Sequence, residues 1–562
     1  MDVFLTSGAS ETIQHGVAEF VAQEEMDRHE GFWWSPDSQS IVYQETDNSG
    51  VESRFIANPL HPETPPAKNF YPRAGTDNAK VRLGIINRSD QDKVTRWLEW
   101  DREKYPYLTR VIWKEADAPL CLLVQDRAQQ EEILLAAGPA SGATRELLRE
   151  KDSAWLNLGS APMPVWLKGG QEFLWTTERN GAWQVELRSA DGALVRAITP
   201  ADFNLEQFID LNEGDRSIVV AGGPDPRERH LFRFSIDAQG EPQRLTQERG
   251  RHDAIFGEGK EQFLHRFNLM DGRAGWEVLR ASDGGSLGPL PTVAERPSSL
   301  PKVELTRTDG PRPMDAAIVW PRNFTKGKHY AVILDVYAGP HSKQVIAQPD
   351  RYMIDQWMAD RGYIVVLIDG RGTPGHGRAW ERAIRGNLID VALEDQVAGL
   401  QALAKKEPAM DLKRVGPVGW SFGGYFSAMA VMRKPDIFQC AVAGAPVVTW
   451  ENYDTYYTER YMGLPSENAE GYRASSVLTY AADLRQPLLL IHGLTDDNVY
   501  VQHSMQLADA LFNAGKTFSF IPLLGTHMVS DPVLRLRRQT RIVEFFDANL
   551  KERSIDPKSP SR

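Results

Sequence analysis

Near residue 300 the chain changes its hydrophobic grammar, and that change constrains the fold more than any single motif. Upstream, short apolar or aromatic runs alternate with polar turns, and the units close on Leu or Ile followed by Thr. FLWTTERNGAWQVELRSADGALVRAIT ends at Thr199, IVVAGGPDPRERHLFRFSIDAQGEPQRLT ends at Thr246, and CLLVQDRAQQEEILLAAGPASGATRELL stops in register near Leu148. A period of about 50 residues suits four-stranded propeller blades better than a sandwich, and residues 1–300 hold about five to six such units. After ERPSSLPKVELTRTDGPRP, buried strand runs alternate with helical stretches, the pattern of a largely parallel sheet covered by helices on both faces. YAVILDVYAG, YIVVLIDGRG, RVGPVGWS and PLLLIHGLTDD each end in Gly, Asp or Ser, and such sheets gather their chemistry at the carboxyl ends of strands. DVALEDQVAGLQALAKK and VQHSMQLADALFNAGK are the helices expected between them. The reading is an all-β propeller over 1–300 and an α/β domain over 301–562.

With 562 residues, 41% hydrophobic and 25% charged, the chain can bury more than one core. A formal net charge of −12 argues against a nucleic-acid surface. Only Cys121 and Cys440 are present, which excludes a disulfide framework and a Cys/His zinc site, so no metal or other cofactor is expected. No window approaches a membrane-spanning apolar run, and MDVFLTSGASETIQ lacks the basic and apolar regions of a signal peptide. As written, the chain is expected to be neither exported nor membrane-spanning.

The pattern G-x-S-x-G forces a tight strand-to-helix turn that exposes a serine. It occurs as GGSLG around Ser286 and as GWSFG around Ser421. Ser286 lies in a Gly-rich turn followed by GPLPT, where prolines prevent a helix. Ser421 follows the strand RVGPVGW and precedes the helical run YFSAMAVMRK, which makes it the candidate nucleophile. A serine hydroxyl needs a histidine base, itself oriented by a carboxylate, in the order Ser, acid, His. His492 precedes the acid loop and is excluded as the base by that order, while His503 falls within a helix and reads as a packing residue. His527, in the loop GTHMVSD after a strand, is the candidate base. The acid comes from LTDDN, as Asp496 or Asp497, and spacing does not choose between them.

GWSFGGYFSAMA, APVVTWENYDTYYTERYMGLP, HGLTDDNV, LDVYAGP and VAQEEMDRHEGFWWSP together resemble the dipeptidyl peptidase IV family of serine exopeptidases, particularly its bacterial members. The likeness spans nearly the whole chain, and TERYMGLP and the double glutamate ahead of WWSP are its most specific parts. It implies an incomplete N-terminal propeller and a C-terminal α/β-hydrolase domain, with Ser421, Asp496 and His527 as the triad. By the same resemblance Tyr337 and the backbone N–H of Phe422 form the oxyanion hole. Phe422, Val447, Trp450, Tyr453, Tyr457 and Val499 match a small apolar pocket for a penultimate proline or alanine, and Asn498 matches the residue that binds the first carbonyl. Tyr453 and Tyr457 read equally as helix packing at i and i+4.

Glu24 and Glu25, two like charges side by side, acquire a purpose from this likeness. A dipeptidase must count two residues from a free amine, and two carboxylates can each accept a charge-assisted hydrogen bond from it, worth about 1.5 to 3 kcal/mol. The implied substrates are peptides with a free N-terminus and penultimate Pro or Ala, cleaved through an acyl-enzyme. A prolyl tripeptidyl peptidase, a carboxylesterase and an inactive truncated scaffold are the competing readings.

The chain departs from the family in Phe422, where many members have tyrosine, in Asn452, where some have a second tyrosine, and in Met528 after the histidine. The family propeller is eight-bladed, so it is expected that either an amino-terminal part is missing here, with an arginine directed at the substrate and any signal peptide, or the chain closes a smaller ring. LTSG at residues 5–8 resembles the end of a blade. By analogy a homodimer is expected, and a full-length form would be periplasmic.

Overall fold

The computed structural model describes residues 5–89 and 94–551. Upstream of residue 300 the described residues form five antiparallel sheets in sequence order, together with one two-stranded ribbon, Ser53–Ile56 with Ala67–Phe70. Four of the sheets are meanders of four strands, beginning at Tyr107, Val165, Leu205 and Gly250. All six residues of Leu120–Gln125 are buried, which requires cover on both faces of the sheet. Neighbouring sheets supply it. The first two share a cluster with Val42, Leu83, Leu108 and Leu122, the second to fourth share Leu134, Trp175 and Val220, and the last two share Val219, Leu231 and Phe263. Side-by-side stacking of this kind is propeller packing, and each buried Leu or Phe contributes about 1.5–3 kcal/mol. Ser286 opens the edge strand Ser286–Pro289 of the fifth sheet, where its hydroxyl bonds Glu277 at 2.8 Å, so the first G-x-S-x-G copy is strand rather than turn.

The first sheet carries the feature that matters for function. Its strand Ser40–Asp47 pairs along one edge with two separate segments, Ile13–His15 and Phe32–Trp34. Gly16 N–H bonds the carbonyl of Gln44 at 2.8 Å and Gln44 N–H bonds the carbonyl of Gly31 at 2.7 Å, so an interrupted strand resumes after an excursion. A Cβ on Gly31 would lie 2.4 Å from Val17 N, which is why glycine closes the neck. The excursion contains the helix Phe20–Glu25.

Beyond residue 300 lies an eight-stranded sheet in the order Val303–Arg307, Asp315–Val319, Ile364–Asp369, Tyr330–Asp335, Met410–Trp420, Ala441–Gly444, Leu488–Gly493, Ser519–Leu523. The first two strands join antiparallel and the rest run parallel. Period-two alternation splits the sheet between two cores. Val332 and Leu334 face Leu400, Phe426 and Leu507 of three helices, while Ala331 and Ile333 face Met358 and Phe546 of two others. Tyr337, Ser421, Val447, Asp496 and His527 follow the carboxyl ends of five adjacent parallel strands, so the topology gathers them on one edge.

Propeller and α/β domain lock together through Arg127, which makes two 2.7 Å bonds to Glu459, and through Gln129, which donates to the carbonyl of Tyr456 and accepts from Arg460, both at 2.6 Å. No helix among the described residues is long and apolar enough to cross a membrane.

Candidate active site

Strand Met410–Trp420 and helix Phe422–Arg433 are separated by one residue, Ser421, held at φ 58° and ψ −116°. Such a conformation costs of order 1–3 kcal/mol in a residue with a side chain. Surrounding glycines make it reachable. A Cβ on Gly423 would lie 2.1 Å from the carbonyl oxygen of Val336, and one on Gly424 would lie 2.2 Å from that of Gly444. Ser421 N–H bonds that same Gly444 carbonyl at 2.9 Å, fixing the turn. The hydroxyl is thereby presented where the helix begins, with Phe422 N–H beside it.

His527 Nδ1 lies 2.7 Å from Asp496 Oδ2. The indole of Trp420, the residue before Ser421, donates to the main-chain oxygen of His527 at 2.8 Å and ties the histidine loop to the serine turn. Asp496 is buried, and its Oδ1 accepts the backbone N–H groups of Asn498 and Val499 at 3.0 and 2.9 Å. Burial alone would raise this carboxyl, but hydrogen bonds from His492 and His527 outweigh it and hold the group below the usual range. Asp497, the alternative acid, is exposed. His503 is buried with Nδ1 accepting Val448 N–H at 3.1 Å, and burial pushes it down to about 3, which suits a packing residue.

Phe422, Val447, Trp450, Tyr453, Tyr457 and Val499 are buried in one cluster, against which Tyr337 packs. Trp450 stacks on Tyr457 at 5.8 Å and 10°, and Tyr453 meets Tyr457 edge-on at 5.3 Å. Tyr453 hydroxyl donates to Asn498 Oδ1 at 2.8 Å, so one tyrosine joins the apolar box to the acid loop. Tyr337 sits with its ring 5.8 Å from that of Phe422. Burial, reinforced by the charge of Glu25, pushes its hydroxyl up to about 12, so it remains a proton donor.

The glutamate helix reaches this edge from the propeller. Ala18, Val21, Ala22 and Met26 pack on Tyr107 and Tyr456. Arg28, buried, holds the excursion by bonding Glu19 at 3.1 Å, Gln44 at 2.8 Å and the carbonyl of Leu108 at 2.9 Å. Glu24 Oε1 accepts from the side-chain amide of Asn498. Burial raises the Glu24 carboxyl, the charge of His527 opposes that, and Asp497 and Asp496 add to it. Burial, then the charge of Asp454, push Glu25 well above its ordinary value.

Sequence reasoning passed over two groups. Asp454 is fully buried, caps the helix Thr455–Met462 through Tyr457 N–H at 2.9 Å, and meets the Glu25 carboxyl in a carboxyl–carboxyl hydrogen bond. Burial pushes it up to about 7. Arg460, on the same helix, is buried with Nη2 unpartnered. Both line up with the glutamates only because the two domains pack as they do.

A model of the dipeptidyl peptidase IV N-terminal region matches residues 2–271, and one of the prolyl oligopeptidase family matches residues 351–553. Dipeptidyl peptidase 8 of Mus musculus is 28% identical over 635 aligned residues, covering 96% of this chain and 70% of that protein. Prolyl endopeptidase FAP of Homo sapiens is 26% identical, covering 91% of this chain and 71% of its own length. The crystal structure of Porphyromonas gingivalis dipeptidyl peptidase 4 superposes with a TM-score of 0.90 at 26% identity, covering 97% of this chain and 78% of that one.

Proposed function

The chain belongs to the dipeptidyl peptidase IV family of serine peptidases, and from that premise we propose that it releases X-Pro or X-Ala dipeptides from the free amino end of peptides through an acyl-enzyme. Glu24 and Glu25 hold the substrate ammonium, and Asn498 donates to the first carbonyl. The penultimate proline enters the box of Val447, Trp450, Tyr453, Tyr457 and Val499. Ser421 Oγ attacks the carbonyl carbon of that residue while His527 takes its proton, and Asp496 holds the imidazolium. Phe422 N–H and Tyr337 O–H donate to the oxyanion, each worth about 3–4 kcal/mol in the transition state. The amine leaves with the proton from His527, and water repeats the sequence to free the dipeptide.

The contact between Glu24 and Asn498 carries this reading, because it puts an anionic anchor against the loop that supplies Asp496. An extended dipeptide spans about 7 Å, which suits an anchor so close to the triad. An esterase has no use for it.

The test is hydrolysis of Gly-Pro-p-nitroanilide beside its N-acetylated form and beside Ser421→Ala. Cleavage of the free-amine substrate alone, lost in the variant, is expected. Equal cleavage of both substrates would sink the amine anchor, and release of tripeptides from a longer peptide would replace the dipeptidase with a tripeptidase.

We further infer a homodimer. Val533, Leu534 and Leu536 are exposed on the first turns of the helix Pro532–Leu550, and Phe55 and Leu60 on and beside the ribbon strand Ser53–Ile56. Light scattering that finds a monomer at micromolar concentration would refute it.

A further inference from the structure

The acid of the triad serves two histidines. Asp496 Oδ2 lies 2.7 Å from His527 Nδ1 and 3.2 Å from His492 Nε2. His492 belongs to the strand Leu488–Gly493, four residues before the acid, and has no exposed surface. Its Nε2 also lies 2.7 Å from the carbonyl of Val499, and its Nδ1 lies 2.7 Å from the hydroxyl of Ser504, itself buried. These partners fix the tautomer. A carbonyl and a carboxylate oxygen only accept, so Nε2 must bear the hydrogen, and the neutral ring then receives the Ser504 hydroxyl at Nδ1.

Resting on the peptidase reading above, we propose that His492 is a positioning residue of the triad, its single Nε2–H bonded to the Val499 carbonyl at 2.7 Å and shared with the carboxylate oxygen that receives His527, 3.2 Å away. Two effects follow. With Oδ1 already held by the N–H groups of Asn498 and Val499, the second imidazole removes the last rotational freedom of the carboxylate. It also draws negative charge off Oδ2 and so lessens the charge that would hold a proton on the imidazole against transfer to the leaving amine. The other titratable or charged groups near this pair are Asp497 and Tyr500 on the acid loop and just beyond it, Glu24 on the propeller helix, His503 on the helix Gln502–Asn513 and Arg54 on the ribbon. None of these is hydrogen-bonded to Asp496 among the described residues. His492 is the one whose removal strips a donor from Oδ2 while leaving His527 in place.

The experiment uses the full chain with His492→Phe and His492→Gln, the second placing an amide donor close to the position of Nε2. In His492→Phe the acid limb of kcat/KM against pH for Gly-Pro-p-nitroanilide is expected to move up by about half a pH unit to one unit. Its kcat should fall about tenfold, with KM unchanged, and His492→Gln should return the limb toward the parent. A folded His492→Phe whose limb stays in place overturns the proposal, as does a rate loss that Gln does not relieve. If Phe at this position prevents folding, His492→Asn takes its place, since its shorter amide falls near Nδ1 and loses the bond to Asp496. Nitrogen-15 histidine spectra supply a readout that needs no turnover. They should show the Nε2–H form of His492 and a displaced His527 Nδ1 resonance in the variant, and an Nδ1–H form of His492 would refute the assignment. A parent chain inert toward Gly-Pro-p-nitroanilide would fail the peptidase reading while these spectra still judge His492.

Discussion

Glu24, on a propeller helix, accepts a hydrogen bond from the side chain of Asn498, on a loop of the α/β domain, whose backbone N–H bonds Asp496, so one residue links the proposed amine anchor to the proposed triad acid across the domain boundary. Removing the charge of either glutamate should therefore weaken capture of a free amine without disturbing the chemistry. Glu24→Gln and Glu25→Gln are each expected to lower kcat/KM for Gly-Pro-p-nitroanilide by about 10- to 100-fold, mostly through KM, which corresponds to one lost charge-assisted hydrogen bond. A change confined to kcat would contradict the assignment.

The same carboxyls give the pH dependence a sign. Glu24 and Glu25 are both raised by burial, so protonation neutralises them at higher pH than it would free glutamates. An ammonium needs ionised acceptors. KM for a free-amine substrate should climb as pH falls through the raised carboxyl range, and climb again above about 8, where the substrate amine loses its proton. In Glu25→Gln the acid-side rise should shrink. A KM in the parent that begins to rise only at the pH where free glutamates protonate would count against the anchor.

Tyr337 remains protonated because burial pushes its hydroxyl up to about 12. Tyr337→Phe deletes that donor while keeping the ring beside Phe422. The expected result is a fall in kcat of about 10²–10³ with KM little changed and the near-ultraviolet spectrum retained. Parent-like kcat would remove Tyr337 from the oxyanion hole.

Glu132 tests the propeller by itself. Burial and the neighbouring charge of Glu150 push it up to about 8, against 4.5 for a free glutamate. A raised carboxyl favours the folded state below its unfolded value and loses that advantage as pH rises to about 8. Glu132→Gln keeps the shape and the contact with Gln125, 3.0 Å away. Its melting temperature should match the parent near pH 5 and exceed it by about 2–4 °C at pH 8. A difference independent of pH would exclude this origin.

Much of the hydrolase edge was legible because its signals are local. A strand, a G-x-S-x-G turn and a helix are contiguous, so Ser421 could be chosen over Ser286 from prolines and helical spacing alone. The choice between Asp496 and Asp497 was not local. It depends on which carboxylate turns inward to meet His527, and the structure has Asp496 buried and Asp497 exposed. Asp454 and Arg460 were illegible for a different reason. Their burial arises from the docking of two domains whose contacting residues, such as Gln129 and Arg460, lie hundreds of positions apart. His492 was set aside because chain order bars it from acting as the base, and order says nothing about a second donor to the acid.

The glutamate helix leaves its blade and returns to it at a single residue, Gln44, whose carbonyl receives Gly16 and whose N–H donates to Gly31. Sheet register on either side is thus indifferent to how many residues lie between the two glycines. On the proposed reading, the length scale of product release is carried by a cassette that can be shortened, lengthened or exchanged as a unit, with the blade as an unaltered socket. A peptidase that counts a different number of residues could arise from such a swap while its triad stays as it is.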